Sequence, residues 1–237
     1  MPEPEAKSRK PRYVPADIVM RHQACIREIE AIRRYTDSVT SAFERERRNY
    51  EEYLHHRMRG ASRHEAESLN DDWCESEHYL GLHFPAFALQ TTFVATYSLL
   101  EDEMVNLARV LGRKIGIKLD PDDLKHTGIH AAKMYLESLC GIEFPEVTHA
   151  WQQAIHYGRL RNVCAHARGR VKDGDTKVRT FIETKNKLLT IDHYDQLHLS
   201  REFCFEVLDN IEALLNDLFK LARNKLMDHQ YGGGPEE

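Results

Sequence analysis

Apolar residues recur at helical spacing along the first part of the chain. From Asp17 to about Arg57 there is neither Pro nor Gly. Ile18, Cys25, Ile32 and Val39 fall every seven residues, beside a second row of Ile29, Phe43 and Tyr50. This stripe predicts one long amphipathic helix, with Glu44-Arg45-Glu46-Arg47-Arg48 on its solvated face. Residues 61–83 predict a short helix and loops. Phe93, Tyr97, Leu100, Met104, Leu107 and Leu111 then alternate spacings of four and three, the seam of a second helix from about Pro85 to Leu111, punctuated by Gly112. Asp120-Pro121-Asp122-Asp123 reads as the start of a helix ending near Gly141, because Pro suits a first turn and carboxylates suit a helix N-terminus. Pro145-Glu146 opens a further helix over about 146–167, with Gly169 just past its end.

The period changes after the turn signal Asp173-Gly174-Asp175. Lys177–Glu183 and Leu188–His193 alternate apolar and polar residues and predict a short hairpin around Lys185-Asn186. Ser200 predicts the N-cap of a last helix to about Leu226, with Leu208, Ile211, Leu215 and Leu218 facing inward. Residues 1–16 and 228–237 read as disordered tails. The expected fold class is mainly all-α, an up-and-down helical bundle with a short β-hairpin before the last helix. Residues 17–83 would pack on or extend a helical domain spanning 84–227.

Composition narrows the classes. The chain is 41% hydrophobic, enough for a real core, yet no apolar run approaches the roughly 20 residues that span a bilayer. The N-terminal stretch lacks the apolar segment of a signal peptide. Five cysteines, odd in number, scattered and without a CxxC pair, point to neither a disulfide framework nor a cysteine zinc site, and fit a reducing cytoplasm. Cys74, His78 and His83, and the adjacent His55 and His56, match no zinc spacing, so no metal is expected. Gly112-Arg113-Lys114-Ile115-Gly116 lacks the pattern of a phosphate loop.

The net charge of −5 argues against an indiscriminate nucleic-acid coat. Charge is uneven, however. Between Ala154 and Lys172 stand five Lys/Arg and two His with no acidic residue. Cations at a helix end also interact favourably with the helix dipole, which accounts for the same charges without a ligand. Within this stretch, Arg159-Leu160-Arg161-Asn162-Val163-Cys164-Ala165-His166-Ala167-Arg168-Gly169-Arg170 combines groups that hold a phosphate with one that moves a proton near neutral pH. Cys164 reads as a packing residue, with no base partner evident for it.

Arg161-Asn162-Val163-Cys164-Ala165-His166 has the form Arg-Asn-X3-His and resembles the Arg-X4-6-His signature of the HEPN superfamily (higher eukaryotes and prokaryotes nucleotide-binding domains). The signature near the end of a penultimate helix, a preceding Tyr97-Ser98-Leu99-Leu100-Glu101 helix, and a following β-like stretch and long last helix look like the ribonuclease-type domains of prokaryotic toxin and defence systems. The resemblance covers roughly residues 85–226. It implies a metal-independent endoribonuclease without a cofactor, acting on RNA as a homodimer whose two motifs share a cleft, with an antitoxin or other regulatory protein as a partner. It assigns Arg161 and His166 as the catalytic pair and Asn162 as the accompanying polar residue. Glu101 is the candidate for an acidic residue on an earlier helix; Glu103 points about 200° away from it. Arg159, Arg168, Arg170 and Lys172 are the candidate RNA and phosphate contacts. A non-catalytic module that binds nucleotide or RNA, or pairs with another subunit, is the alternative.

One geometric feature stays open at this level. Residues five apart on a regular helix lie about 140° apart, so Arg161 and His166 do not share a face, whereas Arg159, Asn162 and His166 do. Arg159 is therefore the alternative phosphate clamp.

Overall fold

The long uninterrupted stripe at the start of the chain forms helix α1 (Ala16–Met58). The computed structural model describes residues 16–185 and 187–231. The expected tails at 1–16 and 228–237 fall mostly outside them, as does Asn186. Within the described residues the chain is mainly helical, with one two-stranded hairpin before the last helix. No helix among them is long and apolar enough to cross a membrane, and all five cysteines are free thiols.

After α1 comes α2 (Arg63–Ser76), whose start carries a capping box between Ser62 and Glu65. A wide π-helical turn, Glu77–His83, leads straight into α3 (Phe84–Lys114). The predicted seam of α3 is buried along its whole length, from Phe93 to Leu111. Gly112 does not end this helix. It leaves room for the ring of Tyr135, whose Oη would lie 2.1 Å from an added Cβ.

The helix expected from Asp120 to Gly141 is broken. Asp120 caps only a short 3₁₀ turn, Pro121–Asp123, and Arg109 holds it by ion pairs to Asp120 (2.9 Å) and Asp122 (2.7 Å). Leu124 is extended, so the chain leaves helical geometry there. Helix α4 (Gly128–Met134) follows and widens into a π-helical turn, Tyr135–Leu139. Helix α5 (His149–His166) begins at Thr148, whose hydroxyl accepts from Trp151 N, a few residues later than Pro145-Glu146 suggests.

The hairpin partner also differs from expectation. Thr176–Thr184 is helix α6, not a strand. Asp175 caps it by accepting from Val178 N, and Val178, Phe181 and Ile182 then bury one face at spacings of three and four. A nine-residue segment with an N-cap satisfies both periods on paper; the cap and the buried face decide for helix. The hairpin is instead β1 (Leu189–Ile191) against β2 (Leu197–Leu199), antiparallel, with Leu189 opposite Leu199. Helix α7 (Arg201–Tyr231) closes the order. Ser200 Oγ accepts from Phe203 N, as its N-cap role predicts. The helix passes Leu226 and includes residues 228–231, which read as tail in the sequence.

The chain divides into two compact units. One contains the described residues before Ile26, Asp102–Pro145 and those from Leu215 onwards. Its core gathers Ile18, Met104, Leu107, Leu111, Leu136 and Leu218. Arg21 pairs with Glu103 at 2.9 Å, and the His22 ring stacks on Phe219 at 4.7 Å. The other contains Ile26–Glu101 and Glu146–Leu214. Its core is aromatic: Tyr157 meets Phe93, Phe181 and Phe203 at centroid distances of 6.4, 6.1 and 5.9 Å. Edge-on rings at such separations add to the burial of their faces. All the candidate site residues belong to this second unit.

Candidate functional site

Helix α5 buries Trp151, Ala154, Tyr157, Leu160 and Val163, one residue in three. Arg161 flanks that buried row and turns toward α3. There its Nη2 donates to the Glu101 carboxylate, and its Nη1 donates to Asn162 Oδ1 at 3.2 Å. The guanidinium lies over the Tyr97 ring, 5.6 Å from the centroid, a cation–π arrangement. Its Nε is buried and has no hydrogen-bond partner among the described residues.

The close approach of α3 and α5 depends on Gly158. A Cβ there would meet Tyr97 Oη at 2.4 Å. Tyr97 and Glu101 are one turn apart on α3, and Gly158 and Arg161 one turn apart on α5. The glycine seats the ring, and the ring and carboxylate together seat the arginine. Burial, then the Glu101 charge, raise the Tyr97 phenol above its ordinary value, so it stays protonated.

The structure thus brings Arg161, Asn162 and Glu101 together. His166 stands apart. It is the last residue of α5 and exposed, and among the described residues its side chain makes no hydrogen bond, ion pair or ring contact. The helix is regular up to it, so the offset of about 140° from Arg161 holds. The Asn162 side chain is engaged by Arg161 and makes no hydrogen bond to the His166 ring. Glu103, which the sequence set on another face, pairs with Arg21 instead.

Arg159 faces a different way. It lines a cleft of about 570 Å³ with Gln153, His156, Lys177, Thr180 and Phe181. The His156 ring stacks flat on Phe181, 4.5 Å between centroids. Burial, then the charges of Arg159 and Lys185, lower its basicity. His156 belongs to the basic stretch, and its three-residue spacing from Arg159, visible in the sequence, places both on one helical face.

The remaining basic residues follow the helix end. Gly169 N donates to Val163 O (3.0 Å), and Arg168 and Gly169 both have positive φ, 51° and 78°. Gly169 has no room for a side chain: a Cβ would meet Gln196 Nε2 at 2.4 Å and Gln90 Nε2 at 2.9 Å. Leu197 N donates to Gly169 O and Val171 N to Asp195 O, tying this segment to the hairpin. Arg168, Arg170 and Lys172 are exposed along it. Cys164 is half-buried with its thiol pushed up to about 12 by burial, which suits packing rather than attack.

No family model matches the chain, and neither curated proteins nor solved structures include a match.

Proposed function

We propose that this protein is a metal-independent endoribonuclease of HEPN type, a toxin or antiviral defence effector, whose cleavage site is completed by two copies of the chain. One observation carries the reading. Arg161 is held in place by Glu101 and Tyr97, while the exposed His166 opens a stretch containing Arg168, Arg170 and Lys172 and no acid before Asp173.

RNA supplies its own nucleophile. A neutral imidazole takes the 2′-OH proton, the freed oxygen attacks phosphorus, and the 5′ oxygen leaves with a proton from a second, charged imidazole. The products are a 2′,3′-cyclic phosphate and a 5′-hydroxyl. Proton transfer of this kind contributes about 10²–10⁴-fold. A guanidinium stabilises the charge that develops on the phosphoryl oxygens. One chain offers one exposed motif histidine, and it lies about 140° around α5 from Arg161. A second copy supplies both the missing acid and a route for His166 of one chain to meet Arg161 of the other.

The test uses purified protein, mixed RNA and EDTA. His166→Ala and Arg161→Ala each abolish cleavage while keeping fold and self-association. Retained cleavage in either variant contradicts the assignment.

A non-catalytic nucleotide- or RNA-binding module is the second reading. It is favoured by the ion pair itself, since Glu101 already neutralises Arg161. RNA binding without cleavage by the wild type selects it.

A further inference from the structure

A second cleft of about 580 Å³ lies between the π-helical turn with the start of α3 on one side and the β1–β2 loop on the other. Phe87, Tyr194, His78, His83, Gln90 and Gln196 line it. Two of these are large rings left open to solvent: Phe87 is 73% and Tyr194 67% exposed. Phe87, Tyr194 and Leu82, 48% exposed, gather at this one cleft, and a grouped apolar surface of that kind suits a ligand or partner. The His78 and His83 rings meet edge to face at 4.3 Å, and the His193 ring lies tilted against Tyr194 at 3.8 Å, so both walls carry aromatic rings.

The polar groups are fixed and partly unspent. Gln90 Nε2 donates to Leu197 O (3.2 Å), and Gln196 Nε2 donates to Arg168 O (2.9 Å). Each amide oxygen then remains an acceptor, and neither takes a hydrogen bond among the described residues. Asp192 also lines the cleft, but it is occupied. It pairs with His198 at 3.1 Å and accepts from the backbone N–H of Tyr194 and Gln196, both at 2.9 Å. No three of the described His, Cys, Asp and Glu side chains converge as a metal site.

The cleft and the basic segment share a wall. Gln196 reaches the carbonyl of Arg168, and both glutamine amides crowd the position where a Cβ of Gly169 would stand. A flat, apolar-faced ligand with N–H donors on its edge, carrying an anionic backbone beside it, matches these features together. We infer that the cleft is a nucleobase subsite, taking one unpaired base of a single-stranded RNA whose phosphates run over Arg168, Arg170 and Lys172. The inference rests on the RNA reading above for its ligand and adds where a base is held. Stacking on aromatic side chains beside a basic track is how single strands are gripped without a duplex groove. The two free amide oxygens favour bases that present an exocyclic amine.

The test separates binding from cutting by using fully 2′-O-methylated RNA, which has no nucleophile. A fluorescent ten-nucleotide strand of mixed sequence and an abasic strand of equal length are titrated against the full chain. Phe87→Ala and Tyr194→Ala are the variants. Both residues are exposed, and thermal melts check that each variant folds. Gln90→Leu is the milder companion. Each aromatic variant is expected to weaken the base-bearing strand roughly ten-fold or more, with abasic binding unchanged. Equal affinity of variants and wild type for the base-bearing strand overturns the subsite, as does an equal loss on both strands. Intact cleavage of ordinary RNA alongside that result leaves the nuclease reading standing. Conversely, cleft-dependent binding without cleavage of ordinary RNA sinks the nuclease and keeps the subsite.

Discussion

Arg161 on α5 donates through Nη2 to the carboxylate of Glu101 on α3, and each side chain is 24% exposed. A partly buried pair costs stability when it is broken from one side. Glu101→Gln leaves a guanidinium whose Nε already lacks a partner. Its cost is about 1–3 kcal/mol in urea unfolding. The double variant Glu101→Gln with Arg161→Met costs less than the two singles added together. Simple additivity would mean the two residues are not coupled.

Gly158 carries the same site from beneath. Gly158→Ala forces Tyr97 off its seat, an overpacking expected to cost about 1–3 kcal/mol. The melting temperature falls by roughly 2–12 °C on that basis. On the nuclease reading proposed above, RNA cleavage falls as well, because Arg161 loses the ring below it. A raised melting temperature would show that Tyr97 yields freely, since alanine for glycine within a helix otherwise adds about 1 kcal/mol.

Thiol reactivity reports the packing within each unit. Burial pushes Cys164 and Cys204 up to about 12 and Cys140 up to about 11. Cys74 is exposed. Iodoacetamide on the native protein therefore labels Cys74 first, and Cys140, Cys164 and Cys204 only after denaturant is added. Rapid labelling of Cys164 would place it in an open site rather than a packed one.

Acid sensitivity follows from Asp192. The hydrogen bond from His198, then those from the Gln196 and Tyr194 backbones, lower its carboxyl from 3.8 to about 2. A carboxyl held below its unfolded value stabilises the fold above that value, and the contribution fades as pH falls from 3.8 toward 2. Asp192→Asn removes it. The difference in unfolding stability between wild type and variant shrinks across that window. A difference constant with pH would mean that Asp192 contributes nothing through its charge.

Much of this was readable from residue order. The seam from Phe93 to Leu111 and the inner face of α7 are buried as their spacing dictates, because a period sustained over several turns has one geometric solution. The Thr176–Thr184 segment was misread, since a short stretch fits both periods until Asp175 caps it. Asp120 does start a helical turn, but a short one: Arg109, eleven residues upstream, holds that turn by its ion pairs to Asp120 and Asp122. At the site, the spacing of Arg161 and His166 already showed that they diverge on a regular helix. What spacing could not show was the ring of Tyr97 seated on Gly158, or the exposed Phe87 and Tyr194 brought to one cleft by a hairpin placed elsewhere than expected.

The central claim is that the chain cuts RNA by using the RNA's own 2′-hydroxyl. The most direct measurement is incubation of the wild-type protein with single-stranded RNA in EDTA, followed by analysis of the fragment ends. The account predicts cleavage that leaves 2′,3′-cyclic phosphate and 5′-hydroxyl termini. Intact RNA, cleavage only when Mg²⁺ is restored, or 5′-phosphate ends would contradict it.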